Sequence, residues 1–480
     1  MIKGLASHKR INKESFFSIL FSGLAAVISI ATTFFIAKPL GTEQYGKIQY
    51  WLGIINTLSL FLVFGFPTFF AKNAQFAKDK KAFFSQFFYC IDILSAAILP
   101  FFFLICFFGL SGLEKNVLLI FILFFCSFWT AIGAIIGPFL IGDGKPGLGI
   151  FLESFLPRFL LFIPSAILAA FSLGRELTNL YLYIFLASYS VSYIPFLCLT
   201  IRKTKIVFQK EKALPLIVFF ILNFSSNIQS NLSKIILGEI SKTYDVVGVF
   251  SLSLQIITMG TLFSGVITSV SRPTFSRLSQ EKDLNGLFNF FQKILRINCY
   301  IAIPFLMAFV IEAKQVLQLF GTDYAAYPLM MVLLGIAYLL NNISGPVGTM
   351  LVMSGHEKLE LVNSITSMTI FFVLGIILAH VNVYGLPIAI LASSFIAFIQ
   401  KNIEIRQIFH KNPYTFPLVS HIVLLLAFSG ICFYDLTFIT SGSYWLIANI
   451  VVGLGLIVLF FVSSPQKDYR FFQKEGNSHD

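Results

Sequence analysis

Residues 223–234 read NFSSNIQSNLSK, a polar run in a chain that is 57% hydrophobic. On a helix that turns by about 100° per residue, Asn223, Asn227 and Asn231 recur at four-residue spacing and Lys234 follows them. Such a face cannot lie against lipid, because its amides need hydrogen-bond partners. Two interpretations are open. The face lines a hydrated cavity, or it packs against neighbouring helices while Lys234 extends toward the membrane surface.

Charged residues also interrupt other apolar stretches. Arg158 follows Pro157 in the middle of one stretch, where an Arg costs roughly 2.5–3.5 kcal/mol on insertion scales. Pro157 lacks the N–H that would bond to the carbonyl of Glu153, so the helix should be irregular there. Asp92 is predicted at a similar depth in another stretch. Glu153 or Asp92 could bind a proton or Na⁺ that drives movement, or could simply neutralise Arg158.

Four cations predict a positively charged cavity. Arg158 and Lys234 are its main members, joined by Lys38 at the end of the first apolar stretch and Arg296 within a later one. A guanidinium can hold a phosphate through two parallel hydrogen bonds, and an ammonium supplies a point charge. The residue types therefore indicate an anionic cargo.

The elements that position these residues must be membrane helices. Only 12% of the 480 residues are charged, whereas a soluble domain carries about 25%. Apolar stretches of about 20 residues, long enough to cross a bilayer, recur along the chain. The pattern predicts an all-α polytopic membrane protein with fourteen spans, at residues 14–37, 48–70, 83–109, 116–141, 148–172, 177–201, 213–237, 244–270, 290–311, 327–353, 358–380, 384–405, 415–435 and 443–463.

The distribution of basic residues predicts the orientation. With the N-terminus inside, the inner segments hold 24 of the 34 Lys and Arg residues. This bias over short loops follows the positive-inside rule, so both termini are expected in the cytoplasm. The same rule explains the net charge of +12 without nucleic acid as a partner. No loop is long enough for an independent domain.

Several kinds of chemistry have no sequence support. There is no GxxxxGK[ST] phosphate loop and no HExxH motif, and the six dispersed His residues predict no metal site. The six Cys lie singly in apolar runs and are interpreted as small core residues. The glycine-rich segment at 141–149 is interpreted as a tight turn. We therefore expect no catalytic residues, no metal and no cofactor.

A weak internal repeat predicts two halves. The segment at 43–58 corresponds to 244–259, with Gly46 matching Gly248, and 141–149 corresponds to 353–361. Each half has six spans, so the copies run in the same direction and the cargo site is expected between them. The predicted divisions are an N-terminal lobe at 1–210, a C-terminal lobe at 211–411, and two extra spans with a tail at 412–480, with a central cavity between the parallel six-helix lobes.

Two segments resemble the polysaccharide-transporter family. Residues 34–72 carry its turn between the first two spans, at Lys38, Leu40, Gly41, Tyr45 and Gly46, and residues 232–253 carry a second motif. Lys38 replaces the usual Arg, and Ser233 stands where many relatives carry Asp. The resemblance implies a flippase for an undecaprenyl-diphosphate-linked oligosaccharide of the O-antigen, capsule or exopolysaccharide type. It also implies a basic central cavity, with spans thirteen and fourteen cradling the lipid tail.

The resemblance completes the functional hypothesis. The four cations hold the diphosphate, the Asn and Ser side chains of span seven meet sugar hydroxyls, and the halves rock to expose the headgroup outside. The expected location is the bacterial inner membrane, and the expected partners are the lipid-linked substrate and membrane lipid. A monomer suffices, with association to polysaccharide assembly enzymes left open. The alternatives are a multidrug or small-molecule extruder of the same superfamily and a membrane polysaccharide polymerase.

Overall fold

The computed structural model describes residues 2–73, 79–110, 113, 115–171, 174–201, 213–241, 243–439, 451–453 and 455–456. These residues contain helices and turns and no strand, which confirms the all-α prediction. By their contacts, the chain divides into two compact units, Met1–Leu252 and Ser253–Asp480. The lobe boundary predicted at residue 210 stays a prediction.

The first unit is built from helices of very different lengths. They are α1 (Ile2–Val63), α2 (Phe66–Asn73), α3 (Lys80–Gly109), α4 (Val117–Gly142), α5 (Pro146–Ile150), α6 (Leu156–Ala170), α7 (Gly174–Thr200), α8 (Ala213–Ile240) and the first part of α9 (Asp245–Gly260). A π-helical turn, Phe151–Phe155, joins α5 to α6. The long helix α1 is the centre of this unit, because α4, α5, α6, α7 and α8 all pack against it.

The second unit continues the series. Its elements are the rest of α9, α10 (Leu262–Gln280), α11 (Leu284–Ile311), α12 (Ala313–Gln318), a 3₁₀ turn (Asp323–Ala326), α13 (Pro328–Ser344), α14 (Val347–Met353), α15 (Glu357–Val381), α16 (Gly385–Phe409) and α17 (Phe416–Ile439). Helices α15 and α16 form an antiparallel hairpin with extensive contact, and α11 packs against α10, α13 and α17.

Within the described residues, eight helices are long and apolar enough to cross a membrane, or nine if the bent pair α13–α14 is one span. Three further predicted spans correspond to shorter apolar helices, Leu216–Ser225, Asp245–Gly260 and Leu418–Phe433. The predicted span at 443–463 lies mostly outside the described residues. The count of fourteen stays a prediction.

Several predicted spans are interrupted. At Gly41 the backbone has φ +73°, a left-handed conformation that glycine adopts without strain, and this kink divides α1 into the first two predicted spans. Span two ends at Val63, earlier than predicted, and α2 continues beyond Phe64 and Gly65, which both have positive φ. Span eight consists of α9 and α10. Span ten bends by 42° at Gly345 and Pro346, where the chain leaves the helix.

Short polar signals set the helix ends. Asp79 caps α3 by accepting hydrogen bonds from the backbone N–H groups of Lys81 and Ala82, and Asn116 caps α4 by accepting from Leu119. Asp283 caps α11 in the same way through Gly286. These caps satisfy N–H groups that have no partner inside the helix. These three caps therefore stabilise the first turns of α3, α4 and α11.

One loop is also held by ion pairs. Asp143, at the end of α4, pairs with Lys80 at the start of α3 and with Lys145, whose Nζ lies 2.9 Å from Oδ2. Partial burial by itself would raise the pKa of Asp143, but the hydrogen bonds from Lys80 and Lys145 outweigh it and lower the pKa. The carboxylate stays charged at neutral pH and ties the α4–α5 turn to α3.

Candidate functional site

The polar face of α8 lies against α1 and α2. The Asn223 side chain donates to Thr68 Oγ1 (3.2 Å), and Asn56 of α1 donates to Asn231 Oδ1 (3.4 Å). The side chains of Asn227 and Asn231 donate to backbone carbonyls four residues earlier in α8. Much of the polar ladder is therefore used for interhelical and local hydrogen bonds. Asn227 is the exposed member of the three Asn residues.

Lys234 also lies at the contact between α8 and α1. Its Nζ donates to Gln49 Oε1 of α1 at 2.9 Å, and its side chain is half-buried. Sequence reasoning placed Lys234 on the correct polar face but did not identify Gln49. No ion pair involving Lys234 occurs within the described part of the chain. Among these residues the Lys234 ammonium therefore contacts an amide oxygen and no carboxylate within 4.0 Å.

Glycines let α1 approach α8 and α9 closely. A Cβ on Gly46 would lie 1.9 Å from the Tyr244 carbonyl oxygen, and one on Gly248 would lie 2.2 Å from the Thr42 carbonyl oxygen. Further along, a Cβ on Gly53 would lie 2.9 Å from the Asn231 carbonyl oxygen. We call this contact the glycine seam, formed by Gly46, Gln49, Tyr50 and Gly53 of α1 with Lys234, Gly238, Glu239, Asp245 and Gly248 of α8 and α9.

Two partly buried hydrogen bonds cross the glycine seam. Thr42 donates to Asp245 Oδ1 at 2.5 Å, and Tyr50 donates to Glu239. The Tyr50 ring fills the space left by the missing side chain of Gly238, where a Cβ would lie 2.3 Å from Cδ2. Sequence reasoning did not assign Tyr50, Glu239 or Asp245 a role. Glu239 and Asp245 lie inside the second segment of the family resemblance, which was the available signal.

Arg158, at the start of α6, belongs to a second cluster of polar residues. In the π-helical turn before it, the Leu156 N–H bonds to the Phe151 carbonyl, five residues back. This is the irregularity predicted beside Pro157. Arg158 is close enough to Glu153 and to Tyr189 and Tyr193 of α7 to interact with them electrostatically.

The surroundings of Arg158 distinguish it from lipid-facing positions. Phe155 and Phe162, three and four residues away on its side of the helix, contact Phe21 and Phe35 of α1, with ring centroids 5.4 and 5.8 Å apart. The exposed apolar face of α6 instead carries Phe159, Ile163 and Ile167. Arg158 is exposed, and it lies on the side of α6 that faces α1.

Glu153 is positioned by glycines of α4. A Cβ on Gly137 would lie 1.7 Å from Glu153 Oε2, and one on Gly133 would lie 2.1 Å from the Tyr193 hydroxyl. The Tyr193 hydroxyl donates to the Glu153 carbonyl at 3.4 Å. Arg158 and Glu153 form no ion pair within 4.0 Å, and neither does Asp92 with Arg158, in the described segments. Direct neutralisation of Arg158 is therefore not seen there.

The other predicted site residues are Lys38, Asp92 and Arg296. Lys38 is exposed, with its Nζ 5.0 Å from the centroid of the Phe34 ring, a cation–π contact. Asp92 is exposed on α3, and Arg296 is half-buried on α11 of the second unit. The structure thus places Lys234 beside α1 and Arg158 beside α7. Their convergence on one cavity stays a prediction.

Comparisons with known proteins agree with this architecture. Residues 159–328 match the model of a family described as "Polysaccharide biosynthesis protein". No curated protein sequence matches the chain significantly. The structure is similar to that of the lipid II flippase MurJ in an inward closed conformation, with a TM-score of 0.72 and 15% identity, over 92% of this chain and 98% of that one.

Other solved transporters share the fold. An inward-facing multidrug resistance MATE transporter of the MOP superfamily gives a TM-score of 0.63 at 14% identity, over 82% of this chain and 98% of that one. A MOP superfamily transporter from Pyrococcus furiosus gives 0.58 at 16% identity, over 84% and 97%. At these identities the likeness concerns the fold. Together with the family match, it confirms the resemblance to polysaccharide transporters drawn from the sequence.

Proposed function

We propose that this chain, which has the fold of the MOP-superfamily transporters, is a flippase for a polyprenyl-diphosphate-linked oligosaccharide. The match of residues 159–328 to the polysaccharide biosynthesis family carries the proposal, because that match points to glycan assembly and the fold points to movement across a membrane. The cargo would be an undecaprenyl-linked O-antigen, capsule or exopolysaccharide unit, moved from the cytoplasmic to the outer leaflet of the inner membrane by alternating access.

Arg158 is the residue proposed to hold the diphosphate. An intramembrane cation with no carboxylate in ion-pair contact needs water or an anion beside it. Its guanidinium offers paired donors that match phosphate geometry. Lys234, Lys38 and Arg296 are proposed as further cations on the path of the diphosphate.

Asn227 is the member of the polar ladder best placed to meet sugar hydroxyls. Its side chain is exposed, whereas Asn223 and Asn231 donate to or accept from side chains of α1 and α2. We propose that Asn223 and Asn231 position α8 and bind sugar only when these interhelical hydrogen bonds open. Asp92 and Glu153 are proposed as coupling groups, and both termini are proposed to be cytoplasmic.

The test uses a host whose surface glycan depends on this gene. Arg158→Gln should abolish surface glycan while membrane abundance stays normal, and Arg158→Lys should restore part of it, because charge returns without the bidentate fork. Lys314→Gln, at an exposed position outside the predicted site, is the matched control. Normal glycan in Arg158→Gln cells would count against the diphosphate site.

A second arm separates the rival transporter function, which the structural likeness to a multidrug resistance transporter favours. The deletion strain should lose surface glycan and keep its resistance to cationic drugs. Proteoliposomes with the purified protein should move a fluorescent diphosphate-linked oligosaccharide between leaflets. A drug-sensitive deletion strain with intact glycan would overturn the proposal in favour of an extruder.

A further inference from the structure

We infer that one face of α3 docks a transmembrane helix of another membrane protein, and that this partner helix carries an Arg or Lys near the middle of the bilayer. The α3 face is formed by Asp92, Ile93, Ala96, Ala97 and Pro100, which are all exposed. At 100° per residue these positions span about 140° of the helix circumference. The inference concerns association with a partner and goes beyond the proposed transport function.

The α3 face lies beside the side of the helix that packs inside the first unit. The buried residues of α3 follow that other side and include Phe84, Ile91, Ser95, Phe102 and Cys106. Helix α3 packs mainly against α4 and contacts α1 and α7 only sparsely. Within the part of the chain that the structure describes, no other element covers the α3 face.

Asp92 makes lipid an unsuitable cover for this face. It is the only charged residue of α3 after Lys81, and it lies twelve residues after the first residue of the helix, Lys80. That distance is about 18 Å along the axis, near the middle of a hydrocarbon core of about 30 Å. No hydrogen bond or ion pair engages the Asp92 carboxylate among the described residues. A carboxylate at this depth needs a cation or hydrogen-bond donors.

A backbone acceptor lies one turn from this carboxylate. In an α-helix the Ala96 carbonyl would accept from the N–H of residue 100, but residue 100 is Pro and has no N–H. Ala96 is exposed and follows Asp92 by four residues, which is about 6 Å along the axis on the same side of the helix. The α3 face therefore offers two acceptors, and its side chains offer no donor.

These two acceptors favour a basic partner. A guanidinium has five N–H donors and an ammonium has three, so either group can bond to a carboxylate and a carbonyl together. The small side chains of Ala96 and Ala97 allow another helix to approach closely. A second copy of this chain fits poorly, because a symmetric contact presents the same patch on both sides and would bring the two Asp92 carboxylates together.

The experiment measures association of the full chain with synthetic transmembrane peptides in phosphatidylcholine vesicles. The chain carries a donor fluorophore at its C-terminus, and each peptide carries an acceptor. The peptides are Leu–Ala helices of about 22 residues with Arg, Leu or Glu at the centre. We expect saturable energy transfer with the Arg peptide and association at least about five-fold weaker with the Leu and Glu peptides.

Variants of the α3 face test whether the Arg peptide binds there. Asp92→Asn should weaken its association at least about five-fold, and Asp92→Glu should keep most of it, because the negative charge returns. Ala96→Phe should weaken association by placing a ring on the face, while flipping by the purified protein stays normal. Pro100→Ala should weaken association less, because it returns an N–H to the Ala96 carbonyl.

Two matched variants change similar groups elsewhere in the first unit. Glu43→Gln removes an exposed carboxylate of α1, and Ala187→Phe places a ring at an exposed position of α7. Both should bind the Arg peptide like the wild type. Equal association of the Arg and Leu peptides would overturn the inference, and so would unchanged association of the Arg peptide with Asp92→Asn.

Asp92 is also one of the two carboxylates proposed for coupling, and the two roles have different readouts. A coupling role alone predicts that Asp92→Asn loses flipping in proteoliposomes while the Arg peptide still binds as in the wild type, and that result would overturn the docking inference. Energy transfer between donor- and acceptor-labelled copies of the chain without peptide, removed by Ala96→Phe, would overturn it in favour of self-association.

Discussion

Alanine at Gly46 should separate α1 from α9 and destabilise the first unit. The added Cβ would lie 1.9 Å from the Tyr244 carbonyl oxygen, whereas real Cβ contacts are essentially never shorter than 3.0 Å. The backbones must therefore part by about 1 Å at this point, because the opposing atom belongs to the main chain and cannot rotate away. Overpacking of this kind costs about 1–3 kcal/mol.

The separation should also weaken the neighbouring hydrogen bonds. Thr42 Oγ1 lies 2.5 Å from Asp245 Oδ1 and Lys234 Nζ lies 2.9 Å from Gln49 Oε1. Lengthening either by about 1 Å takes it to or beyond the limit for a hydrogen bond. Each such bond inside a membrane protein contributes about 0.6 kcal/mol. These losses add to the steric cost and outweigh the helix propensity gained by replacing glycine, about 1 kcal/mol.

The same substitution elsewhere in α1 should have the opposite sign. At Gly23 a new Cβ meets nothing within 4 Å, so Gly23→Ala should stabilise the helix slightly. Thermal unfolding of the purified variants, read by size-exclusion chromatography after heating, compares the two directly. Gly248→Ala, with its Cβ 2.2 Å from the Thr42 carbonyl oxygen, should resemble Gly46→Ala. If Gly46→Ala is as stable as Gly23→Ala, the glycine seam does not hold α1 against α9.

Three further changes test other contacts. Asp143→Asn should lower the unfolding temperature at pH 7 by an amount equivalent to about 1 kcal/mol or less, because the two lysine partners are partly exposed. Since the folded-state pKa of Asp143 is lowered, this contribution should begin to shrink as the pH falls below about 4 and should be lost below the folded-state pKa. A difference between the variant and the wild type that is the same at pH 3 as at pH 7 would contradict the ion-pair account. Gly137→Ala should displace the Glu153 carboxyl, because Oε2 would lie 1.7 Å from the new Cβ. The variant should therefore lose more glycan export than membrane abundance. Equal losses of export and abundance would indicate a purely structural role for Glu153. Lys234→Gln should retain a hydrogen bond to Gln49 and fold normally, but it should reduce export as measured by surface glycan. Full export in this variant would show that Lys234 does not lie on the path of the diphosphate.

Local features were predictable from the sequence because their causes are local. The position of Pro157 predicts an irregular helix beside Glu153, and the structure has a π-helical turn at that place. Apolar length predicts helices such as α3 and α4 to within a few residues. The polar ladder predicts that α8 has a face that avoids lipid, and the hydrogen bonds of Asn223 and Asn231 follow that expectation.

The partners of these residues were not predictable, because they lie far away in the chain. Tyr50 and Glu239 are 189 positions apart, and Gln49 and Lys234 are 185 positions apart. The sequence around one residue of each pair does not indicate which residue its partner is. The pairing depends on how closely α1 approaches α8, which glycines with no local function determine. The buried hydrogen bond from Asn363 of α15 to Glu404 of α16 was missed for the same reason, since each residue is ordinary on its own helix.

One match in the predicted internal repeat also corresponds to a contact between distant parts of the chain. Gly46 was matched to Gly248 by sequence, and the same offset matches Thr42 to Tyr244. In the structure a Cβ on Gly46 would strike the Tyr244 carbonyl, while a Cβ on Gly248 would strike the Thr42 carbonyl. Each glycine thus meets the residue four positions before its matched glycine, so the two contacts are reciprocal. Both matched positions need glycine, because a Cβ at either one would lie closer than 3.0 Å to a backbone carbonyl oxygen.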